Sequence, residues 1–310
     1  MKAKLFCGRS NPEFGIAVAN YLDMKLGKMT IKPFSDGELW IRFDENIRGE
    51  DVFIIQSTNP PDTNIIELLL MLDAAKRASA RRVTAVIPYY GYARQDRKDQ
   101  PRVPISAKLF ADLIQTAGAD RVVSMDLHSS QIQGYFNSPF DHLYSKKVLV
   151  GAIKDLELEN MVVLAPDIGS VPMSRSYAKL LNATLAIIDK RRPGHNKAEV
   201  MHLIGKVGAK NVLIMDDMID TAGTMVAAAK KARAMGAVSV NAAVTHGVLS
   251  GPAIRRLKQA PIDRILITDT IKIIEKKQID KLVPVSVASV FGEAILRIHQ
   301  EKSISVLFDV

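Results

Sequence analysis

Val212-Leu-Ile-Met-Asp-Asp-Met-Ile-Asp-Thr-Ala-Gly-Thr224 is the stretch on which the reading of this chain turns. Its opening, Val212 to Met215, is an apolar run bounded like a buried strand. It closes in a small-residue turn, and an alanine-rich helical pattern follows from Met225 to Ala234. Asp216, Asp217 and Asp220 lie between. A strand, a tight loop and a helix N-terminus make a phosphate cradle, because unpaired backbone N–H groups and the positive end of the helix dipole converge there. Thr221 and Thr224 add hydroxyl donors, and Ala222 and Gly223 keep the turn small enough for close backbone approach. A phosphate by itself gains nothing from nearby carboxylates. The pairing suits a phosphorylated sugar, with the acids meeting its hydroxyls directly or through Mg²⁺. An ordinary turn capped by Asp220 or Thr221 would explain one acid and one threonine, but not the whole string.

Working outward, the bulk properties narrow the class of ligand. The chain has 310 residues, long for one core and suited to two domains. No apolar run is long enough to span a membrane: Ile65 to Leu72 is short and broken by Glu67. The N-terminus lacks a signal-peptide layout, which leads us to expect a cytoplasmic protein. A single cysteine, Cys7, excludes an intrachain disulfide and reads as a packed small residue. The net charge of +9 calls for anionic partners, but aromatics are only 6% and long basic tracts are absent. Base-stacking surfaces need both, so small phosphorylated molecules are favoured over nucleic acid.

Strand and helix patterns alternate along the chain. Strands are expected at 2–7, 28–34, 39–43, 52–56, 83–88, 121–127, 161–165, 184–188, 212–215, 239–244 and 264–268. Helices are expected at 11–22, 63–78, 105–117, 170–181, 225–234 and 252–258, and 304–308 reads as strand-like. This alternation predicts α/β architecture with mostly parallel sheets flanked by helices. The strand–loop–helix–strand unit at 52–87 recurs at 212–244, an offset of about 160 residues, which suggests two similar halves.

Other polar stretches are less decisive alone. Phe34-Ser-Asp-Gly-Glu38 is a turn signal. Tyr89 to Asp99 is a basic loop after a strand, with Arg94 suited to bidentate phosphate binding. Asp126-Leu-His128 and Pro166-Asp-Ile-Gly-Ser170 sit at strand ends, and Asp189-Lys-Arg-Arg-Pro-Gly-His195 reads as a basic loop. Walker A, Gly-x-Gly-x-x-Gly and His-Glu-x-x-His patterns are absent.

Asp216 to Thr224 resembles the phosphoribosyl-diphosphate signature of type I phosphoribosyltransferases. In this form, and with Ala93-Arg-Gln-Asp-Arg-Lys98, it is similar to ribose-phosphate pyrophosphokinases, and the resemblance covers essentially the whole chain. It implies a type I phosphoribosyltransferase-like fold: one domain at 1–145, a second at 146–284, and a segment at 285–310 packing back on the first. It implies transfer of the diphosphoryl group of ATP to the C1 hydroxyl of ribose 5-phosphate, with Mg²⁺, giving phosphoribosyl diphosphate and AMP. Lys190 and Arg192 would be the catalytic pair on a mobile arm. Phe34, Asp36, Gly37, Glu38, Arg94, Gln95 and Asp99 would contact ATP, the first four from a neighbouring subunit. Asp216, Asp217, Asp220, Thr221, Ala222, Gly223 and Thr224 would hold ribose 5-phosphate, and His128 and Asp167 would be metal ligands. A homohexamer regulated by ADP and phosphate is also implied, with Arg102, Ser303 and Phe308 as regulatory contacts.

The chain departs from the family pattern at Ser170, where a glycine is usual, and at Asn137, where an aspartate is common. Two alternatives fit less well. A transferase that consumes phosphoribosyl diphosphate would not need the Phe34 and Arg94 stretches. A non-catalytic regulatory subunit would be expected to have lost the Lys190–Arg192 pair.

Overall fold

The computed structural model describes residues 2–191 and 200–308. The chain divides into two compact units. The first is Met1–Tyr144 with Thr270–Lys272 and Val287–Val310; the second is Ser145–Asp269 with Ile273–Ser286.

In the first unit the elements run β1 (Ala3–Cys7), α1 (Pro12–Tyr21), β2 (Met29–Pro33), β3 (Leu39–Phe43), β4 (Asp51–Ile55), α2 (Thr63–Arg77), β5 (Arg82–Ile87), α3 (Ser106–Thr116), β6 (Arg121–Met125) and β7 (Phe140–Leu143). Five strands form an all-parallel sheet in the order β1-β4-β5-β6-β7, and β2-β3 is a separate antiparallel hairpin. β4 is buried at every position, as its unbroken apolar run after Asp51 requires of a strand covered on both faces. α1 starts where Pro12 occupies the first turn and the Asn11 side chain accepts from Phe14 N–H at 3.2 Å.

The second unit runs α4 (Lys146–Lys154), β8 (Met161–Ala165), α5 (Val171–Leu180), β9 (Thr184–Arg191), β10 (Val200–Ile204), β11 (Asn211–Ile219), α6 (Gly223–Ala234), β12 (Ser239–Gly247), α7 (Ala253–Gln259), β13 (Ile265–Thr268) and β14 (Leu282–Val285). Its seven-stranded sheet has the order β10-β9-β8-β11-β12-β13-β14, parallel except for β10 against β9. Successive residues of β11 alternate between two cores. Val212 and Ile214 pack with the α6 alanines Ala228, Ala229 and Ala232. Leu213 and Met215 pack with Leu149, Ile153 and Tyr177. The small alanines let α6 lie close on the sheet. From β8 the chain steps to β9 and β10 on one side and then crosses back to β11 on the other. That makes the carboxyl ends of β8 and β11 the topological switch point, where open α/β sheets bind ligands.

The chain then returns to the first unit as α8 (Ala288–His299). Phe291 meets Phe14 of α1 edge-on at 5.4 Å between centroids. Gly292 is needed there, since a Cβ would lie 2.3 Å from Tyr21 Cδ1. Asp51, fully buried, accepts from Arg82 Nε at 2.9 Å and Arg82 Nη2 at 2.5 Å, and pairs with His299 Nδ1 at 2.9 Å.

Four sequence expectations need correction. The strand expected at 212–215 continues to Ile219, so Asp216 and Asp217 lie on the strand and not in a loop. Residues 189–191, read as the start of a loop, belong to β9, which pairs with the unforeseen β10. β7, α4 and β14 were also not expected. The strand-like run at 304–308 is instead a single 3-10 turn at Ser305–Leu307. Local bonds take its backbone: Ser305 N–H donates to Ser303 Oγ at 3.2 Å and Leu307 N–H to Ile304 O at 2.9 Å.

Candidate functional site

Each unit carries its own group of candidate residues. In the second, Asp216 and Asp217 sit near the end of β11, and Asp220 to Thr224 form the turn into α6. Neither Asp220 nor Thr221 is the N-cap. That position is Ala222, buried and left-handed at φ +62°, with no side-chain cap bond. Ala222 O accepts from Val226 N–H at 3.0 Å, so the N–H groups of Gly223, Thr224 and Met225 form the first turn, where a helix offers donors to an anion.

Asp217 N–H donates to Asp216 Oδ1 at 3.0 Å. Burial, together with the carboxylates of Asp217 and Asp167, pushes the Asp216 carboxyl up to about 8. Asp167 follows β8, across the switch point from Asp216. Its Oδ1 accepts from Ser170 N–H at 3.0 Å, and Ser170 Oγ donates back to Asp167 O at 3.0 Å. Ser170, at φ −82°, therefore needs no glycine, and its hydroxyl closes the turn that holds Asp167. Among the described residues no three His, Cys, Asp or Glu side chains form a ready-made metal cage. The gathering of the Asp217 and Asp167 carboxylates about Asp216 nevertheless fits a hard divalent cation, which oxygen ligands of this type bind.

Lys190 lies on β9, and Arg192 falls outside the described residues. Ile187 and Asp189 of the same strand, with Ile168, Val171, Pro172 and Ile204, line an open, largely apolar groove of about 510 Å³.

In the first unit, Phe34, Asp36, Gly37 and Glu38 form the exposed tip of the β2-β3 hairpin. The turn is self-sufficient. Phe34 N–H donates to Glu38 O at 2.7 Å, Gly37 N–H to Phe34 O at 3.0 Å, and Glu38 N–H to Asp36 Oδ1 at 3.0 Å. Gly37 has φ +97°, a conformation that favours glycine. Phe34 is 52% exposed. Arg94, Gln95 and Asp99 are exposed on the loop between β5 and α3. Gln95 Oε1 is committed to Ser106 Oγ at 2.5 Å, so its amide nitrogen is the group left to face a ligand.

His128 is exposed just past the end of β6. It follows Asp126, left-handed at φ +38°, and Leu127, whose N–H donates to His142 Nε2 at 2.9 Å. Arg102 is exposed and left-handed at φ +66°. Ser303 Oγ bonds Ser305 Oγ at 2.8 Å, and Phe308 meets Tyr144 edge-on at 6.2 Å. Cys7 is packed and not a nucleophile: burial pushes its thiol up to about 12. No helix among the described residues is long and apolar enough to cross a membrane. Residues that sequence reasoning missed include Arg256, whose Nη1 donates to Thr221 O at 3.0 Å from α7. Only its distance in sequence hid it.

Residues 3–118 match the model of the N-terminal domain of ribose phosphate pyrophosphokinase, and residues 192–309 match that of the phosphoribosyl synthetase-associated domain. The ribose-phosphate pyrophosphokinase of Caldanaerobacter subterraneus is 56% identical over 307 residues, covering 98% of this chain and 97% of that protein. That of Chlorobaculum tepidum is 53% identical over 307 residues, covering 99% and 95%. The crystal structure of phosphoribosylpyrophosphate synthetase from Mycobacterium smegmatis superposes with a TM-score of 0.92 at 42% identity, over 97% of this chain and 100% of that one. With the phosphate-type turn at the switch point and identity of this extent along its whole length, the chain belongs to the ribose-phosphate pyrophosphokinase family.

Proposed function

We propose that the chain transfers the diphosphoryl group of ATP to the C1 hydroxyl of ribose 5-phosphate, giving phosphoribosyl diphosphate and AMP. The observation that carries this is the left-handed turn at Ala222, which follows the Asp216–Asp217 pair on the strand beside the switch point. Asp220 to Thr224 hold the 5-phosphate through first-turn N–H groups and threonine hydroxyls. Asp216 and Asp217 accept from the ribose diol. The C1 oxygen attacks the β-phosphorus in line, a new C1–O–P bond forms, and the bond to the α-phosphate oxygen breaks with its electrons leaving on AMP. The hydroxyl proton is released to solvent. Lys190 and Arg192 neutralise charge on the transferred group, the ammonium as a point charge and the guanidinium as a fork. Phe34 stacks on adenine while Asp36 and Glu38 accept from its amino group, and Arg94, Gln95 and Asp99 hold the rest of ATP.

His128 would hold the Mg²⁺ of Mg²⁺–ATP, partly through water, and Asp167 would make a second metal or ribose contact; the ion, when bound, would neutralise phosphate charge and acidify the attacking hydroxyl. Asp167 supplies a carboxylate oxygen, the ligand type that Mg²⁺ takes.

The half-exposed Phe34, on a turn that needs nothing else to hold it, supports a role towards a second copy of the chain, hence a homo-oligomer, by family analogy a hexamer. ADP and phosphate act as effectors at Arg102, Ser303 and Phe308. A monomer by light scattering would contradict the shared ATP site. The reaction is tested by mixing protein, Mg²⁺, ATP and ribose 5-phosphate: AMP forms only with the sugar present, and ADP as the product would refute diphosphoryl transfer.

A further inference from the structure

The Asp220–Thr224 loop is braced from behind by the connection between β12 and α7. Leu249 N–H donates to Ile219 O at 2.9 Å, Ser250 N–H to Asp220 O at 2.9 Å, and Arg256 Nη1 to Thr221 O at 3.0 Å. Three consecutive carbonyls are thus taken by donors outside the loop. A trans peptide points its C=O and N–H in opposite directions, so each carbonyl turned to the brace turns the following N–H away from it. The brace is itself anchored, since Lys277 Nζ donates to Val248 O at 2.8 Å.

Two of the three loop donors are backbone groups, which any sequence supplies. The third is a side chain, and it holds the peptide leading into Ala222. Ala222 carries a Cβ in the left-handed region, a conformation that persists only where surrounding structure enforces it. The guanidinium also lies close under the next residue: a Cβ built on Gly223 would be 3.5 Å from Arg256 Nη1. A carbonyl released from this bond is free to rotate towards the phosphate and repel it.

We propose that Arg256 is a positioning residue for ribose 5-phosphate. By holding the Thr221 carbonyl it fixes the turn at Ala222, aims the loop's N–H groups at the 5-phosphate, and sets a cation behind them. The proposal rests on Asp220 to Thr224 being the 5-phosphate loop. The bond is made to the loop backbone and not to the reacting atoms, so its loss weakens ground-state binding of the sugar phosphate.

The test uses the full chain as wild type, Arg256→Ala, Arg256→Lys and Thr224→Val. Calorimetric titration with ribose 5-phosphate, steady-state kinetics for both substrates and thermal melts are compared. Arg256→Ala raises the Kd and KM for ribose 5-phosphate about tenfold, leaves the ATP KM unchanged and melts with the wild type. Arg256→Lys recovers part of the loss, and millimolar guanidinium recovers part of it in Arg256→Ala. Unchanged ribose 5-phosphate affinity in Arg256→Ala, with affinity lost in Thr224→Val, overturns the proposal alone. Unchanged affinity in Thr224→Val overturns the 5-phosphate loop itself. Equal losses for both substrates with a lowered melting temperature and no guanidinium rescue reduce Arg256 to a structural prop, and also overturn the proposal.

Discussion

Asp216→Asn should stabilise the ligand-free protein at neutral and alkaline pH, because the native carboxyl is held in surroundings hostile to its charge. Its folded pKa is raised from 3.8 to about 8 by burial and by the Asp217 and Asp167 carboxylates. A raised carboxyl pKa means that the folded state binds the proton more tightly than the unfolded chain does. Wild-type stability from this group is therefore fully present below pH 3.8 and drains away as pH climbs towards 8. Every tenfold gain in proton affinity on folding is worth about 1.4 kcal/mol, which sets a ceiling of about 6 kcal/mol. Asp216 is only partly enclosed, and solvent screening reduces the figure, leaving about 1–3 kcal/mol. The asparagine is nearly isosteric and cannot ionise. Thermal melts of both proteins without Mg²⁺ or substrates should coincide near pH 4 and separate by roughly 3–9 °C near pH 8. A separation independent of pH, or a less stable Asp216→Asn at pH 8, would refute the reasoning. With Asp216 accepting from the ribose diol, as proposed above, the same variant should also bind ribose 5-phosphate poorly.

Three more perturbations have defined outcomes. Lys190→Ala should cut turnover by about two or more orders of magnitude while ribose 5-phosphate affinity by titration stays near wild type; near-normal turnover would remove it from the catalytic pair. Phe34→Ala should raise the ATP KM about tenfold, the scale of a lost aromatic–base stack, with melting unchanged because the ring is 52% exposed in this chain; an unchanged KM would take Phe34 out of the ATP site. Asp51→Ala should destabilise the first unit by about 3–5 kcal/mol by chemical denaturation, since it strands the paired Arg82; a loss below about 1 kcal/mol would show that the pair is dispensable.

Local periodicity carried most of the fold. Runs such as Val52 to Ile55 and Val212 to Met215, closed by polar or small residues, admit little but buried strands. Patterning failed where polar residues extend an apolar strand. Asp216 and Asp217 stay in β11 because β12 continues alongside, Asp216 opposite Val244 and Met218 opposite His246, which no window around residue 216 reveals. β10, Val200-Met-His-Leu-Ile204, is a short apolar run without a recognised turn before it, and its pairing with β9, Leu203 against Ile188, is what makes it part of the sheet. At the site, residue types could be listed from motifs, but the conformation of Ala222 could not. Nothing in alanine requests a left-handed backbone; it is imposed by the brace from β12 and α7, more than twenty-five residues downstream.

The return of α8 to the first unit also bears on how the protein is made. Phe14 cannot bury its edge against Phe291, nor Asp51 engage His299, until nearly the whole chain has left the ribosome. The second unit, by contrast, lies within a continuous stretch apart from its own three-residue interruption at Thr270–Lys272. It can complete its sheet while the first still shows an uncovered face around Phe14. Loop-closure entropy rises only slowly with length, so the long wait costs little at equilibrium. Its cost is exposure during synthesis, when an unfinished apolar surface is open to aggregation. Truncating α8 should therefore harm the yield of folded protein, although none of the proposed substrate-binding residues lies on it.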